Sequence, residues 1–216
     1  MFKVIHISRS MDSLSKASGD GYLTAPKKLI VDTWKNNKEQ GSSTLVVVTL
    51  PKDGSKLYSS FVGDSGYCIL RETPSGSYNY TVEFESTPQQ RSFNFPLQLG
   101  WGKNGDDPEV AAEKVHDIKH NDIVVLGSDG LYDNVSASRV AGMVSKYMEA
   151  AKGQFDAVKI AEEIAKQAFQ LSLSKTHNSP FAIEAKRSGY NFKGGKSDDI
   201  TVVVGKVRLI TGRSDL

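Results

Sequence analysis

Three aspartates in this sequence share a setting in which a carboxylate can do chemistry. Asp64 follows the apolar run ending FVG, Asp129 follows DIVVLGS, and Asp198 stands just before ITVVV. Each lies at the end of a strand-like segment beside Gly or Ser. There a side chain can leave the core and point into a cleft, held more rigidly than on a loop. If the three converge they repel one another, because like charges 4 Å apart cost about 4 kcal/mol at an effective dielectric near 20. Convergence therefore calls for a shared proton or for a cation between them. Hard oxygen donors with no His or Cys nearby select Mg²⁺ or Mn²⁺ over Zn²⁺ or Cu²⁺. The other reading is local, since Asp-Gly and Asp-Ser at strand ends are ordinary turn formers. Position alone leaves both readings open. Asp133 reads as the cap of a following helix, and Asp199 as a tie for the start of the last strand.

The elements that must position these groups follow from periodicity. KVIHI at 3–7 has the pattern of a short strand, and the polar stretch after it reads as loop. Pro26 suits the first turn of a helix, where its missing N–H costs little. Leu29, Ile30, Thr33 and Trp34 share one face of that helix, and KNNKEQG ends it. STLVVVTL, KLYSSFVG and YCILR then read as three strands, rich in β-branched residues. The short loops PKDGS and GDSG between them argue for an antiparallel meander. A further strand lies within 73–86. Residues 89–109 are rich in Gly, Pro, Asn and aromatics and read as a surface excursion, a flap. KVHDIK and DIVVLGSDGL form another expected strand pair. Val140, Met143, Val144, Tyr147 and Ala151 repeat at helical spacing over 136–151. Ala157, Ile160, Ala161, Ile164, Ala165, Ala168 and Leu171 do the same over 155–174. A loop holding Pro180 and the pair Gly194-Gly195 follows, and DITVVVGKVRLI reads as one long strand.

Composition bounds the function. At 38% hydrophobic and 24% charged residues over 216 positions, the chain can bury a core without disulfides or a structural metal. Twenty-seven basic residues against 25 acidic ones give a net charge of +2, too balanced to argue for a nucleic-acid partner. No apolar run approaches a membrane span. The single cysteine, Cys68, sits in an apolar run, reads as a buried small hydrophobe, and favours a reducing, intracellular compartment. The start MFKVIHISRSM lacks the long apolar stretch and cleavage site of a secretory signal.

Several separated segments then carry a resemblance. VLGSDGLYDNV (125–135), FVGDSGYCIL (61–70), GSST (41–44) and GGKSDDITVVV (194–204) resemble, in order, motifs of the metal-dependent type 2C protein Ser/Thr phosphatases. SPFA (179–182) and SFNFPLQL (92–99) are most similar to the mitochondrial and plastid branch. The resemblance covers residues 41–207, while 1–40 match poorly, and the whole of 1–216 reads as a single phosphatase-like domain. It implies an α+β fold, an α/β sandwich of two mostly antiparallel sheets flanked by helices. It implies hydrolysis of phosphoserine and phosphothreonine in phosphoprotein substrates, with two or more Mg²⁺ or Mn²⁺ ions in the family and fewer here. Asp129 and Asp198 match metal-ligand aspartates, and Asp64 matches the ligand of a further, weaker ion. Gly130 and Asp199 match supporting positions.

The family's upstream third, with its Asp-Gly-x-Gly-Gly segment and an early phosphate-binding Arg, has no counterpart in this sequence. Asp20-Gly21 and Arg9 are the nearest substitutes. The expected alternative is therefore a catalytically silent phosphatase-like binding module. An incomplete sandwich also leaves strands unpaired, and an exposed edge invites a homodimer. The compartment implied is mitochondrial or cytoplasmic.

Overall fold

Alternation of side chains along two central strands sets the architecture. The computed structural model describes residues 19–36, 41–51, 56–75, 78–100 and 105–209. The expected strand at 3–7, Arg9 and the turn at 52–55 lie outside the described residues. In chain order the elements are α1 (Pro26–Asn36), β1 (Ser42–Ser43), β2 (Leu45–Thr49), β3 (Lys56–Val62), β4 (Gly66–Glu72) and β5 (Tyr80–Glu85). Then come β6 (Gln90–Ser92), β7 (Phe95–Pro96), β8 (Leu99–Gly100), β9 (Ala112–Asp117) and β10 (Ile123–Gly127). The chain continues through α2 (Asp129–Tyr132), α3 (Ala137–Ala150), α4 (Ala157–Ser172), α5 (Pro180–Arg187) and β11 (Val202–Lys206). Asp20 falls in a 3-10 turn, Gly19–Tyr22.

Among the described residues two larger antiparallel sheets form, in the strand orders β11-β10-β4-β5 and β2-β3-β9, beside the two-stranded pairs β1-β8 and β6-β7. Tyr67 and Ile69 of β4, with Val124 and Leu126 of β10, face Val46, Leu57 and Phe61 of the other sheet. Their alternate neighbours Cys68, Leu70, Ile123 and Val125 face Val140, Val144, Ile160 and Ile164 of α3 and α4. On the far side of the second sheet, Val62 packs with Ile30 of α1. The result is a layered helix–sheet–sheet–helix sandwich, as the α+β expectation requires. Both central strands are buried on both faces, which explains their unbroken apolar runs. The helices follow the expected periodicity. Ser136 and Asp156 cap α3 and α4 by accepting bonds from Arg139 N and from Val158 N and Lys159 N.

Two expectations about pairing are corrected. KLYSSFV and YCILR do not continue a meander. β3 pairs with β2 and β9, whereas β4 pairs with β10 and β5, so the GDS corner carries the chain from one sheet to the other. KVHDIK and DIVVLG likewise fall in different sheets, as β9 and β10. A short loop between two strands is read as a hairpin by default. Here both faces of β4 and β10 are apolar and need a covering layer on each side, which a simple meander does not supply. A third correction concerns 180–187, expected as loop. Ser179 caps it by accepting from Ala182 N, Pro180 opens it, and Ala182 and Ala185 are buried beneath it. The long final strand is also shorter than expected, because its ladder begins only at Val202.

The corner between β9 and β10 is closed by a buried ion pair. Asp122, 1% exposed, accepts from Arg71 Nε at 3.0 Å and Nη2 at 2.7 Å, and from Lys119 N at 2.7 Å. Loss of Asp122 takes two charge-assisted bonds from Arg71, which keeps Glu83 at 2.6 Å, and leaves Lys119 N without its acceptor. Asp122→Ala is expected to lower unfolding stability by about 2 kcal/mol, read from urea denaturation.

Candidate functional site

Register brings the three candidate aspartates to one end of one sheet. Gly127 of β10 stands opposite Gly66 of β4 on one side and Val202 of β11 on the other. Asp64 precedes Gly66, Asp129 follows Gly127, and Asp198 precedes Val202. Adjacent strands are about 4.8 Å apart, so the three segments leave the sheet side by side.

Backbone stitching then fixes the segments. Ser128 Oγ donates to the Asp199 carbonyl at 2.8 Å and accepts from Thr201 N at 3.0 Å. Gly130 lies so close to the same strand that a Cβ there would stand 2.4 Å from Asp199 O. Asn134 is fully buried. Its Nδ2 donates to Gly130 O at 2.9 Å and Lys196 O at 2.8 Å, and its Oδ1 accepts from Lys196 N at 2.9 Å. The segments around 129–134 and 196–201 are thus one unit.

At its centre stands Lys196, which sequence reasoning missed. Its Nζ lies 2.6 Å from Asp133 Oδ2, 3.2 Å from Asp129 Oδ2 and 3.3 Å from Asp198 Oδ2. The same ammonium lies 5.1 Å from the centre of the Phe181 ring. Asp129 and Asp133 meet it together because they are four residues apart on one helical turn. Asp133 was expected to cap α3, but Ser136 does so and Asp133 faces the lysine instead. The i, i+4 spacing of the two acids was the signal available for it. For Lys196 the signal was a lone cation two residues before Asp198.

The electrostatics follow from this crowding. Burial pushes the Asp133 carboxyl up to about 6, with Lys196 opposing and the charges of Asp129 and Asp64 reinforcing the rise. Burial alone would lower the Lys196 ammonium, but Asp133 and Asp129 outweigh it and hold its pKa above the ordinary lysine value. Asp64 belongs to another segment of the chain. It sits buried on the corner between β3 and β4 and lines a groove of about 640 Å³ together with Asp133. The Asp199 side chain is exposed. What Asp199 contributes is backbone, since its N–H donates to Asp198 Oδ1 at 2.8 Å and its carbonyl receives Ser128.

The groove runs from Asp64 and Asp133 past Phe93, Phe181, Glu184 and Arg187. Phe93, at the tip of the β6–β7 hairpin, packs 5.0 Å from Phe181 and 5.0 Å from Tyr190 by ring centroid. Within the expected flap, 90–96 thus form a hairpin braced on α5 through Phe181, while 101–104 lie outside the described residues.

Can these residues hold a metal? Among the described residues no group of three or more His, Cys, Asp or Glu closes on an open metal position. Lys196 stands instead as a fixed cation among three carboxylate oxygens. The donor chemistry, hard oxygens around one positive charge, fits a single hard divalent cation with the ammonium moved aside.

With this geometry in hand, comparison with known proteins identifies the class. Residues 106–176 match the protein phosphatase 2C family. The chain is 35% identical over 182 residues to a probable protein phosphatase 2C 80 of Arabidopsis thaliana, covering 84% of this chain and 41% of that protein. It is 31% identical over 198 residues to the protein phosphatase PTC7 homolog fig of Drosophila erecta, covering 86% of this chain and 60% of that one. The crystal structure of the photosystem II phosphatase PBCP superposes with a TM-score of 0.78 at 25% identity, over 92% of this chain and 76% of that one. The chain belongs to the protein phosphatase 2C family. It spans less than two thirds of the length of these sequence relatives.

Two glycines give a contrasting test of the stitching. Gly130→Ala is expected to cost about 2 kcal/mol, because its methyl group would press on backbone rather than on a flexible side chain. Gly142→Ala, in the middle of α3 with nothing within 4 Å, is expected to be neutral or to stabilise by up to about 1 kcal/mol. Urea unfolding of both variants checks the pair.

Proposed function

We propose that this chain serves metal-dependent hydrolysis of phosphoserine and phosphothreonine in phosphoproteins, the activity of a type 2C phosphatase. The observation that carries the reading is the meeting of Asp129, Asp133 and Asp198 around one cationic position beside a groove. Asp129 and Asp198 would hold Mg²⁺ or Mn²⁺, with Asp133 beside them and Asp64 near a further, weaker position. A divalent ion bound there supplies a water of lowered pKa and neutralises charge on a phosphate oxygen. The chain's own residues do the rest. Ser128, Gly130 and Asn134 keep the carboxylates at fixed separation. Phe93 and Phe181 line the groove and would offer a peptide segment apolar contact. Arg187 presents an exposed guanidinium to the same groove, suited to a phosphate or an acidic peptide side chain.

A second reading, a phosphatase-like module that binds without hydrolysing, is favoured by one observation. The cationic position is already filled by Lys196.

Hydrolysis of a phosphothreonine peptide with added Mn²⁺ separates the two. The Asp129→Ala and Asp198→Ala variants are each expected to lose activity roughly 100-fold or more, with the fold intact by circular dichroism. Full activity in both variants would remove the enzymatic reading, and no activity in the unaltered chain would favour the silent module.

A further inference from the structure

A divalent ion and an ammonium group compete for the same oxygens when both need the same three carboxylates. We infer that Lys196 is a built-in counter-cation. It holds Asp129, Asp133 and Asp198 together in the metal-free protein, and it must leave its place when a divalent ion binds, so it sets the cation concentration at which the site loads. This rests on the metal-dependent reading of the same site.

The argument is geometric. All three carboxylates lie within 3.3 Å of one Nζ. Asp129 is nearly fully buried and Asp133 is partly so, and the positive charge between them relieves their mutual repulsion. An ion with oxygen ligands at about 2.0–2.6 Å would have to occupy the space the ammonium now fills. Three formal negative charges against one positive leave the cluster two charges short of neutral. A divalent ion in the ammonium's place would narrow that deficit to one charge, and the stronger attraction would offset the loss of the lysine's contacts. The exchange needs no backbone movement. Asn134 grips the backbone of Lys196 through its N–H and its carbonyl, whereas the side chain is held by charge and by the Phe181 ring.

The test uses Mn²⁺ alone, read by calorimetry, and thermal melting in the presence of EDTA. Lys196→Met keeps most of the side-chain volume and removes the charge. In EDTA it is expected to melt about 5–10 °C below the unaltered protein, because the carboxylates lose their partner. It is expected to bind Mn²⁺ about 10-fold or more tightly, because the competitor is gone. Lys196→Arg keeps the charge and should retain the EDTA melting temperature. A second change guards against a simple packing defect. Lys196→Met combined with Asp133→Asn removes one negative charge and should recover part of the lost melting temperature in EDTA.

An unchanged melting temperature in Lys196→Met overturns the counter-cation role. Failure of the double variant to recover overturns it too, by assigning the loss to packing. Mn²⁺ binding by the unaltered protein with no gain in Lys196→Met overturns the competition and leaves the metal-dependent reading standing. Absence of Mn²⁺ binding in both proteins overturns the metal-dependent reading, and the inference with it.

Discussion

Like charges held at the end of a sheet must be neutralised, and much of this molecule is arranged around that constraint. Asp129, Asp133 and Asp198 are placed by three different devices. One follows a strand, one sits a helical turn later, and one stands before another strand. Each device is rigid, so the carboxylates cannot relax apart to relieve their repulsion. The ammonium of Lys196 supplies the compensation, and Ser128, Gly130 and Asn134 keep the segments near enough for one side chain to serve all three. Burial strengthens both the repulsion and its cure, because the same low-dielectric surroundings that make an unpaired carboxylate costly make the ion pair stronger.

The sandwich exists to hold that sheet end still. β4 and β10 carry the candidate residues at their ends, and they are covered by helices on one face and by the second sheet on the other. The corner at Gly63 shows how the layers and the site are joined. Its φ is +93°, and a Cβ there would stand 2.3 Å from Thr44 Cγ2 and 2.6 Å from Leu97 O, so only glycine fits. The chain turns there from one sheet into the other, and the turn is what places Asp64 beside the groove rather than at the tip of a hairpin.

Much of this was legible in the sequence where the signal was local. α1, α3 and α4 follow from apolar residues at helical spacing, and the start of α1 from Pro26, whereas the caps Ser136 and Asp156 went unread. The strands were legible from β-branched runs. Their partners were not, because pairing depends on which faces must be covered, a property of the whole sheet. α5 was hidden by its proline and its shortness, although Ser179-Pro180 is a helix-start signature once the buried Ala182 and Ala185 are noticed. The convergence of Asp129 and Asp198 was an expectation from type and position, and register across β10 and β11 brings both to one lysine. Lys196 itself escaped attention because a lysine between glycine and acids reads as surface charge. Only the fold turns it inward.

That inward lysine decides how the site should be understood. A carboxylate cluster with no cation would be a cost to the fold, and a cluster locked by a rigid partner would be a structural ion pair and nothing more. Lys196 is neither case. Its backbone is clamped on both sides by Asn134, but its ammonium hangs on a flexible four-carbon stem and is retained by charge and one aromatic face. The oxygens are placed by backbone geometry, while the ammonium among them is held by side-chain contacts alone. Such a site can exchange one positive charge for another while the carboxylates stay where they are, which is what a reversible cation site on a stable scaffold requires.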